Sequence, residues 1–347
     1  MKVDYIIVGQ GICGTMLSYF MLQQNISHVV IDESLTNTAS KVASGVINPI
    51  TGRRFVKTWM IDELMPFAKE TYQSLEQLLN ISVFQETSVI DFHTTEQMQK
   101  AFDERAKTES TFLNTNVDPL NFNKNFTFEN GLAEILPCYL IDLNTLLESW
   151  RSFIKQKNIL IESVFNEDEI IFKENKVSYK NIEANKIIYC NGVNAKQSKW
   201  FQHLPFALNK GEALIVEIPS LPKKHLYKNG ITIVPWKENL FWVGSSYEWN
   251  YDDELPSKNF KNKIENVLNE WLKMPFKIKE HLSSLRPTNT ERRPFVGVLQ
   301  DQTEIAILNG MGTKGCSLAP YFANELVNHL IHKKSIHLEA EVNRFTS

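Results

Sequence analysis

The segment Lys2–Glu33 reads KVDYIIVGQGICGTMLSYFMLQQNISHVVIDE and decides the fold of this chain. Its residues Tyr5–Val8 form an uninterrupted apolar run, which is typical of a parallel strand buried on both faces. Gly9, Gly11 and Gly14 follow in the spacing G-x-G-x-x-G. The segment then takes on the apolar periodicity of a helix and ends in a second apolar strand. This order of strand, glycine turn, helix and strand predicts a unit that binds a dinucleotide.

The glycines of the turn have separate tasks in such a unit. The first permits a tight turn, the second lets the backbone approach a pyrophosphate, and the third lets the helix pack closely on the strand. The N–H groups that begin the helix would point at the phosphates. Asp32 closes the second strand 18 residues after Gly14, near the spacing expected for an acceptor of ribose hydroxyls. The predicted cofactor contacts in this unit are Gly9, Gln10, Gly11, Ile12, Cys13, Gly14, Asp32 and Glu33.

Composition sets the class of protein and argues against several partners. A chain of 347 residues exceeds the usual size of one hydrophobic core, so two domains are expected. The net charge of −3 predicts no general attraction to nucleic acid or to an anionic membrane. The four cysteines are scattered without metal-ligand spacing, which suits reduced thiols in the cytoplasm and predicts no metal site. No apolar run approaches the ~20 residues that a membrane helix needs. We therefore expect a cytoplasmic protein, whose oligomeric state the sequence leaves open.

The pattern of strands and helices divides the chain into two interleaved domains. Residues 1–82, 138–205 and 285–347 have the apolar strands and helical stretches of the dinucleotide-binding domain. In residues 83–137 and 206–284, short runs of alternating apolar and polar residues indicate antiparallel strands with one solvent-exposed face. The sequence therefore predicts an α/β fold: a discontinuous Rossmann-like domain with an inserted α+β substrate domain, built largely on an antiparallel sheet.

Two further loops favour FAD over NAD as the dinucleotide. Ala43–Pro49 offers small residues and backbone donors where a pyrophosphate and the edge of a flavin would pass. Asn309–Gly315 lies between a strand and a helix and forms a second anion-receptive helix start. Its N–H groups or Lys314 would stabilise negative charge on a reduced flavin. The alternative is an ordinary strand–helix turn. The contacts predicted here are Ala43, Ser44, Gly45, Asn48, Gly310, Gly312, Thr313, Lys314 and Gly315.

Taken together, these residues resemble the D-amino-acid-oxidase-like family of FAD-dependent oxidoreductases, which includes glycine oxidase and monomeric sarcosine oxidase. The resemblance spans essentially the whole chain. Its motifs are, in chain order, Gly9–Gly14 with Asp32, Ala43–Pro49, Ile187–Gly192, Lys210-Gly211-Glu212, Ile233-Val234-Pro235 with Val243-Gly244, Leu285-Arg286-Pro287 with Arg293–Gly297, and Gly310–Pro320. The cofactor contacts added with it are Glu167, Cys190, Asn191, Gly192 and Arg286. Because no cysteine lies beside Arg286, where sarcosine oxidases attach their flavin, the expected FAD is non-covalent.

The resemblance implies oxidation of the C–N bond of a small amine or amino acid. A hydride would pass to flavin N5, the imine would be hydrolysed, and oxygen or another acceptor would reoxidise the flavin. Arg286 matches the family's arginine and would bind a substrate carboxylate through two parallel hydrogen bonds. Lys314 matches a lysine that lies by the flavin or by the substrate carboxylate. Tyr247 and Trp236 would form an aromatic wall over the ring, although aromatic residues are often simply core.

Two other functions stay open at this point. The family also includes an oxidase that acts on a carboxymethylaminomethyl group of the tRNA wobble uridine, and the same anchors would serve that substrate. Such an enzyme needs a basic surface, which the net charge of −3 does not supply globally. A non-catalytic flavin-binding protein is the other alternative, because Thr232 and Trp236 depart from the family's usual residues and a fold does not by itself establish a function.

Overall fold

The β-α-β unit that opens the chain is present in the computed structural model, which describes residues 1–109 and 111–345. The strands are β1 (Tyr5–Val8), β2 (His28–Ile31), β3 (Val46–Ile47), β4 (Ile50–Thr51), β5 (Val56–Lys57), β6 (Phe84–Phe92), β7 (Leu113–Asn114), β8 (Leu132–Ile141), β9 (Leu160–Ile161), β10 (Ile170–Lys173), β11 (Lys176–Tyr179), β12 (Ile182–Ala184), β13 (Lys186–Tyr189), β14 (Asn209–Glu217), β15 (Leu226–Asn229), β16 (Ile231–Pro235), β17 (Leu240–Gly244), β18 (Lys277–Arg286), β19 (Phe295–Val298) and β20 (Ile305–Asn309). The α-helices are α1 (Ile12–Gln23), α2 (Ala39–Val42), α3 (Ile61–Leu79), α4 (Glu96–Ala106), α5 (Leu120–Asn123), α6 (Leu143–Gln156), α7 (Lys258–Trp271) and α8 (Gly315–His332).

A six-stranded sheet forms the centre of the predicted dinucleotide-binding domain. Its strand order is β19-β20-β13-β1-β2-β9, and its pairs are parallel except for the antiparallel edge strand β19. All four residues of β1 are buried, as the apolar run predicts. One face of the sheet packs on α1 and α8, and the small antiparallel sheet β10-β11-β12 lies on the other face. The parallel strands therefore end together at one edge, where ligands bind in open α/β sheets.

The second sheet has nine strands, in the order β18-β14-β17-β16-β15-β6-β8-β3, with β7 paired to β8. Only the pair of β15 with β6 is parallel, so the prediction of a largely antiparallel sheet is confirmed. Strands β8 and β18 run across the predicted domain boundaries, and β3 adds Val46–Ile47 to this sheet. The division into domains by residue range stays a prediction.

Alternate residues of β14 show how the two faces of this sheet are used. Leu214 and Val216 pack with the apolar face of α7, whereas Ala213 and Ile215 belong to the core shared with the six-stranded sheet. Helix α7 is held at its start by Ser257, whose hydroxyl accepts the N–H of Phe260. One face of the sheet is thus covered by a helix, and the other faces the dinucleotide-binding domain. None of the helices in the described part of the chain is both long enough and apolar enough to cross a lipid bilayer.

Candidate cofactor and substrate site

A cavity of about 1060 Å³ lies between the two sheets. It is lined at one end by residues that follow the parallel strands, such as Gly9, Asp32 and Cys190, and at the other by Ala213 and Trp242 of the nine-stranded sheet. Small-molecule sites usually measure roughly 300–1,000 Å³, so this cavity has room for a dinucleotide. A cofactor bound in this cavity would contact both sheets.

The glycine turn has the close contacts that its spacing predicts. Gly9 has a φ of +97°, and a Cβ there would lie 2.7 Å from the carbonyl oxygen of Cys190. A Cβ on Gly14 would overlap the carbonyl oxygen of Gly9, because helix α1 crosses β1 at that point. The start of α1 has no side-chain cap, although Ile12 donates its N–H to Ser40 Oγ at 3.0 Å. The remaining N–H groups of the first turn suit an anion such as a pyrophosphate.

Asp32 is oriented by three donors. One carboxylate oxygen accepts the N–H of Gln10 at 2.8 Å, and the other accepts the N–H of Ser34 at 2.8 Å and a guanidinium N–H of Arg151 at 2.7 Å. Arg151 also donates to Gln10 Oε1 and to a carboxylate oxygen of Glu162. Asp32 and Arg151 both line the cavity, so the carboxylate is fixed beside the space where an adenosine ribose would lie.

Most of the predicted cofactor residues line the cavity. They are Gly9, Gln10, Gly11, Ile12, Cys13, Asp32, Glu33, Ala43, Ser44, Gly45, Glu167, Cys190, Asn191, Gly192, Arg286, Gly312, Thr313 and Gly315. Glu167 is engaged by the protein itself, because its carboxylate accepts the hydroxyl of Ser198 at 2.6 Å and the N–H of Lys199 at 3.1 Å. Its predicted contact with the cofactor is therefore shared with this structural role.

The other predicted residues lie behind the cavity wall or outside it. Gly14 and Gly310 pack against backbone and against Phe295, respectively. The side chain of Asn48 accepts the N–H of Ile50 within its own turn. Tyr247 is 46% exposed, on the loop that covers Arg286.

Lys314 lies at the start of α8, and its ammonium group donates to Thr58 Oγ1 at 3.3 Å. No described carboxylate forms an ion pair with it. Burial lowers the pKa of Lys314 to about 8. A desolvated lysine without a counter-charge is costly, and such groups are often found at functional sites. Its predicted place beside a bound flavin stays a prediction.

The pKa of Lys314 predicts a dependence of stability on pH. Its folded value of about 8 lies below the ~10.4 of an unfolded lysine, so the folded state binds fewer protons between these values. The charged Lys314 therefore destabilises the folded state by its full amount below pH 8, and this destabilisation decreases as the pH rises toward ~10. Lys314→Met is expected to raise Tm by ~2–4 °C at pH 7, and this gain should shrink at pH 10. Thermal unfolding without substrate measures it. The control is Lys334→Met, at an exposed position; equal pH profiles for both variants would contradict the prediction.

Arg286, at the end of β18, has the environment expected of an anion anchor. One guanidinium nitrogen donates to Asn209 Oδ1 at 2.7 Å and to the carbonyl oxygen of Ser246 at 3.1 Å. The group lies against the backbone of Gly211, and its carbon is 5.6 Å from the centre of the Tyr247 ring. Burial lowers its pKa, yet an arginine stays protonated at neutral pH. Because no described carboxylate pairs with it, the charge on the cavity wall is free for a ligand.

Several residues of the cavity were not found by sequence reasoning. Arg151 lies on α6 and Ser40 on α2, and no local motif marks either of them. Trp242 lines the cavity and donates its indole N–H to the carbonyl oxygen of Val42 at 2.9 Å. Trp236, which the sequence suggested as part of an aromatic wall, does not line the cavity, and Trp242 supplies the aromatic surface there. Cys316 also lines the cavity, together with the predicted contacts Cys13 and Cys190.

Arg151 is expected to contribute to the affinity for the cofactor. Arg151→Ala should raise the Kd for FAD about tenfold, because Asp32 then loses a charge-assisted donor that fixes its orientation. Titration of the apoprotein with FAD, followed by flavin fluorescence, measures this Kd. Lys155→Ala is the control, since Lys155 shares Glu162 with Arg151 through its own ion pair at 2.6 Å. If both variants bind FAD with the same Kd, Arg151 has no such role.

The donor set fits FAD. A glycine turn and an uncapped helix start would provide N–H groups for the pyrophosphate, and Asp32 would provide the acceptor for ribose. The loop ending in Gly315 and the aromatic surface of Trp242 lie at the other end, where a ring system has room. Among the described residues, no group of three or more histidine, cysteine or acidic side chains is placed to hold a metal ion.

The fold and the cavity together fit a dinucleotide-dependent oxidoreductase. Residues 160–329 match the family model described as DAO, FAD dependent oxidoreductase. The chain thus carries a domain of the DAO family and is an FAD-dependent oxidoreductase. The resemblance read from the sequence motifs is confirmed.

Solved structures of similar fold cover nearly the whole chain. Glycine oxidase from Geobacillus kaustophilus superposes with a TM-score of 0.80 at 17% identity, covering 96% of this chain and 96% of that chain. Iminodiacetate oxidase from Chelativorans sp. BNC1 gives 0.76 at 16% identity, covering 97% and 98%. L-Proline dehydrogenase from P. horikoshii gives 0.77 at 13% identity, covering 99% and 96%. At these identities the similarity shows a shared fold.

Proposed function

We propose that the chain oxidises the C–N bond of a small amine or amino acid that carries a carboxylate. The observation that carries this proposal is the guanidinium of Arg286, which is held by two protein acceptors and has no described carboxylate partner on the wall of the cofactor cavity. When bound, FAD supplies the two-electron acceptor that turns the amine into an imine, and water then hydrolyses the imine. The electron acceptor that regenerates FAD is oxygen or another small molecule.

The residues of the chain contribute orientation and electrostatics. Arg286 binds the substrate carboxylate and thereby fixes the position of the neighbouring amine-bearing carbon. Asn209 and the carbonyl oxygen of Ser246 prevent the guanidinium from turning away. Trp242 forms an apolar wall that excludes water from its side of the cavity. The proposal needs no general base, because an amine that binds in its neutral form has no proton to lose before oxidation.

The similar structures agree with this substrate class. They are named for glycine, iminodiacetate and L-proline. In each of these compounds an amine and a carboxylate share one carbon, so one cation at a fixed place can orient all of them. The same arrangement in this chain would accept a primary or a secondary amine.

Anaerobic reduction of the bound flavin tests the proposal directly. The purified yellow holoprotein is mixed with a panel of D- and L-amino acids and N-substituted glycines, and the flavin absorbance is followed. Bleaching by a carboxylated amine, and recovery with oxygen or a quinone, is the expected result. The matched amine without its carboxylate should bleach the flavin far more slowly. A flavin that dithionite reduces but no member of the panel does would defeat the proposal.

A further inference from the structure

The loop of residues 245–257 covers the end of the cavity where Arg286 lies. It joins β17 to α7, and its residues Ser245 and Glu254 line the cavity. The carbonyl oxygen of Ser246 accepts a hydrogen bond from Arg286, and the Tyr247 ring lies beside the guanidinium. The position of this loop therefore decides how Arg286 is presented to a ligand.

Both ends of the loop are fastened to one residue, Glu212 of β14. At the start of the loop, Glu212 donates its backbone N–H to Ser246 Oγ at 2.8 Å and accepts the N–H of Ser246 at 3.1 Å. At the end of the loop, the carboxylate of Glu212 accepts the N–H of Ser257 at 2.6 Å and its hydroxyl at 2.8 Å. Ser246 near the start of the loop is thus held by the backbone of Glu212, and Ser257 at its end is held by the carboxylate of the same residue.

The carboxylate of Glu212 has a buried counter-charge. Its side chain is 0% exposed, and the ammonium group of Lys210, itself 4% exposed, lies 3.6 Å away. His281 Nε2 lies 2.8 Å from the other carboxylate oxygen, and burial lowers the pKa of His281. Lys210 reaches the loop as well, because its backbone pairs with Glu248 in both directions and its ammonium lies 3.8 Å from Asp253.

We propose that Glu212 is a positioning residue that fixes loop 245–257 over the substrate and thereby aligns Arg286. A buried carboxylate is costly unless it is paired and hydrogen-bonded, and here it accepts two hydrogen bonds from the end of a loop that lines the site. This inference rests on the proposed function only in that Arg286 binds a carboxylate. The fastening of the loop does not depend on which amine is oxidised.

The variant Glu212→Gln tests the proposal. The amide keeps the shape of the side chain, but the two donors of Ser257 bond to different oxygens of Glu212, and glutamine keeps only one of them. It also removes the negative charge that faces Lys210. Limited chymotrypsin digestion of the holoprotein is expected to cut at Tyr247, Trp249 or Tyr251 about tenfold faster, mapped by mass spectrometry. In the same variant, KM for a carboxylated amine should rise about tenfold while kcat changes little. Digestion needs no substrate, so it reports on the loop even if every amine fails.

The matched control is Glu217→Gln on the same strand. Glu217 is half-buried and pairs with Lys279 at 3.1 Å, away from the loop. Ser257→Ala removes the hydroxyl bond to Glu212 together with the cap that Ser257 provides to Phe260, and it leaves the Glu212 carboxylate in place. It should give a smaller change in the same direction and keeps the test valid if Glu212→Gln does not fold. Equal cutting rates in all the variants would overturn the proposal. Faster cutting with an unchanged KM would also overturn it, because the loop would then be fastened without aligning Arg286.

Discussion

Arg286→Ala is expected to lower kcat/KM for a carboxylated amine by at least ~30-fold and by up to ~5,000-fold. Removing one partner of a buried, hydrogen-bonded charge pair costs about 2–5 kcal/mol. The substrate carboxylate would enter a cavity wall that no longer offers a cation, and Asn209 and Ser246 would lose their donor. Steady-state kinetics with any amine that bleaches the flavin measures the effect. Most of it is expected in KM, because the carboxylate is bound in both the ground and the transition state.

Arg286→Lys separates charge from geometry at the same position. Lysine keeps the positive charge but lacks the planar fork, so an intermediate loss is expected. The flavin content of each variant is measured first, because Arg286 lines the same cavity as the predicted cofactor contacts. An alanine variant that retains its flavin and its KM would show that the carboxylate is bound elsewhere.

Gly14→Ala is expected to produce a largely colourless protein. The added methyl group would overlap the carbonyl oxygen of Gly9, and neither rigid backbone segment can yield without moving α1 away from β1. Overpacking of this kind costs about 1–3 kcal/mol or more, and the displaced helix start would carry its phosphate-binding N–H groups with it. We expect the affinity for FAD to fall by ~100-fold or more. The ratio of visible flavin absorbance to protein absorbance, with Tm, measures both consequences.

Gly52→Ala provides the control for this prediction. Gly52 has a φ of +75°, but no atom lies within 4 Å of the position that its Cβ would take. Alanine there incurs backbone strain without a steric overlap, so stability falls slightly and the flavin content stays unchanged. If Gly14→Ala remains as yellow as Gly52→Ala, the close crossing of helix and strand does not determine binding.

Local patterns explain why many residues that line the cavity could be named from the sequence. Gly9–Gly14 is a contiguous motif whose geometry follows from glycine and from the two apolar strands beside it. Residues from 43–45, 190–192 and 312–315 also line the cavity. They lie at the ends of strands and helices, and the spacing of apolar residues and glycines in the sequence can locate such ends. Arg286 was found through the resemblance rather than through any local pattern.

The residues that were missed meet their partners across long stretches of chain. Arg151 pairs with Asp32 over 119 residues, and Trp242 donates to Val42 over 200 residues. Such contacts depend on how layers of the fold stack, which no periodicity encodes. Side-chain direction is equally hidden, since the sequence placed Lys314 at a helix start but did not show that its ammonium group would reach Thr58.

The reactivity of the three cysteines that line the cavity is expected to report how much of a preparation contains the cofactor. Cys13, Cys190 and Cys316 are buried, and burial raises the pKa of Cys13 and of Cys316 to about 12, so neither is a ready nucleophile. Because all three line the cavity, a bound dinucleotide is expected to slow their reaction with a small aromatic disulfide reagent that enters it. Slow thiol labelling would then indicate protein with bound dinucleotide, and faster labelling would indicate protein without it. The labelling rate would thus measure the fraction of apoprotein without an activity assay.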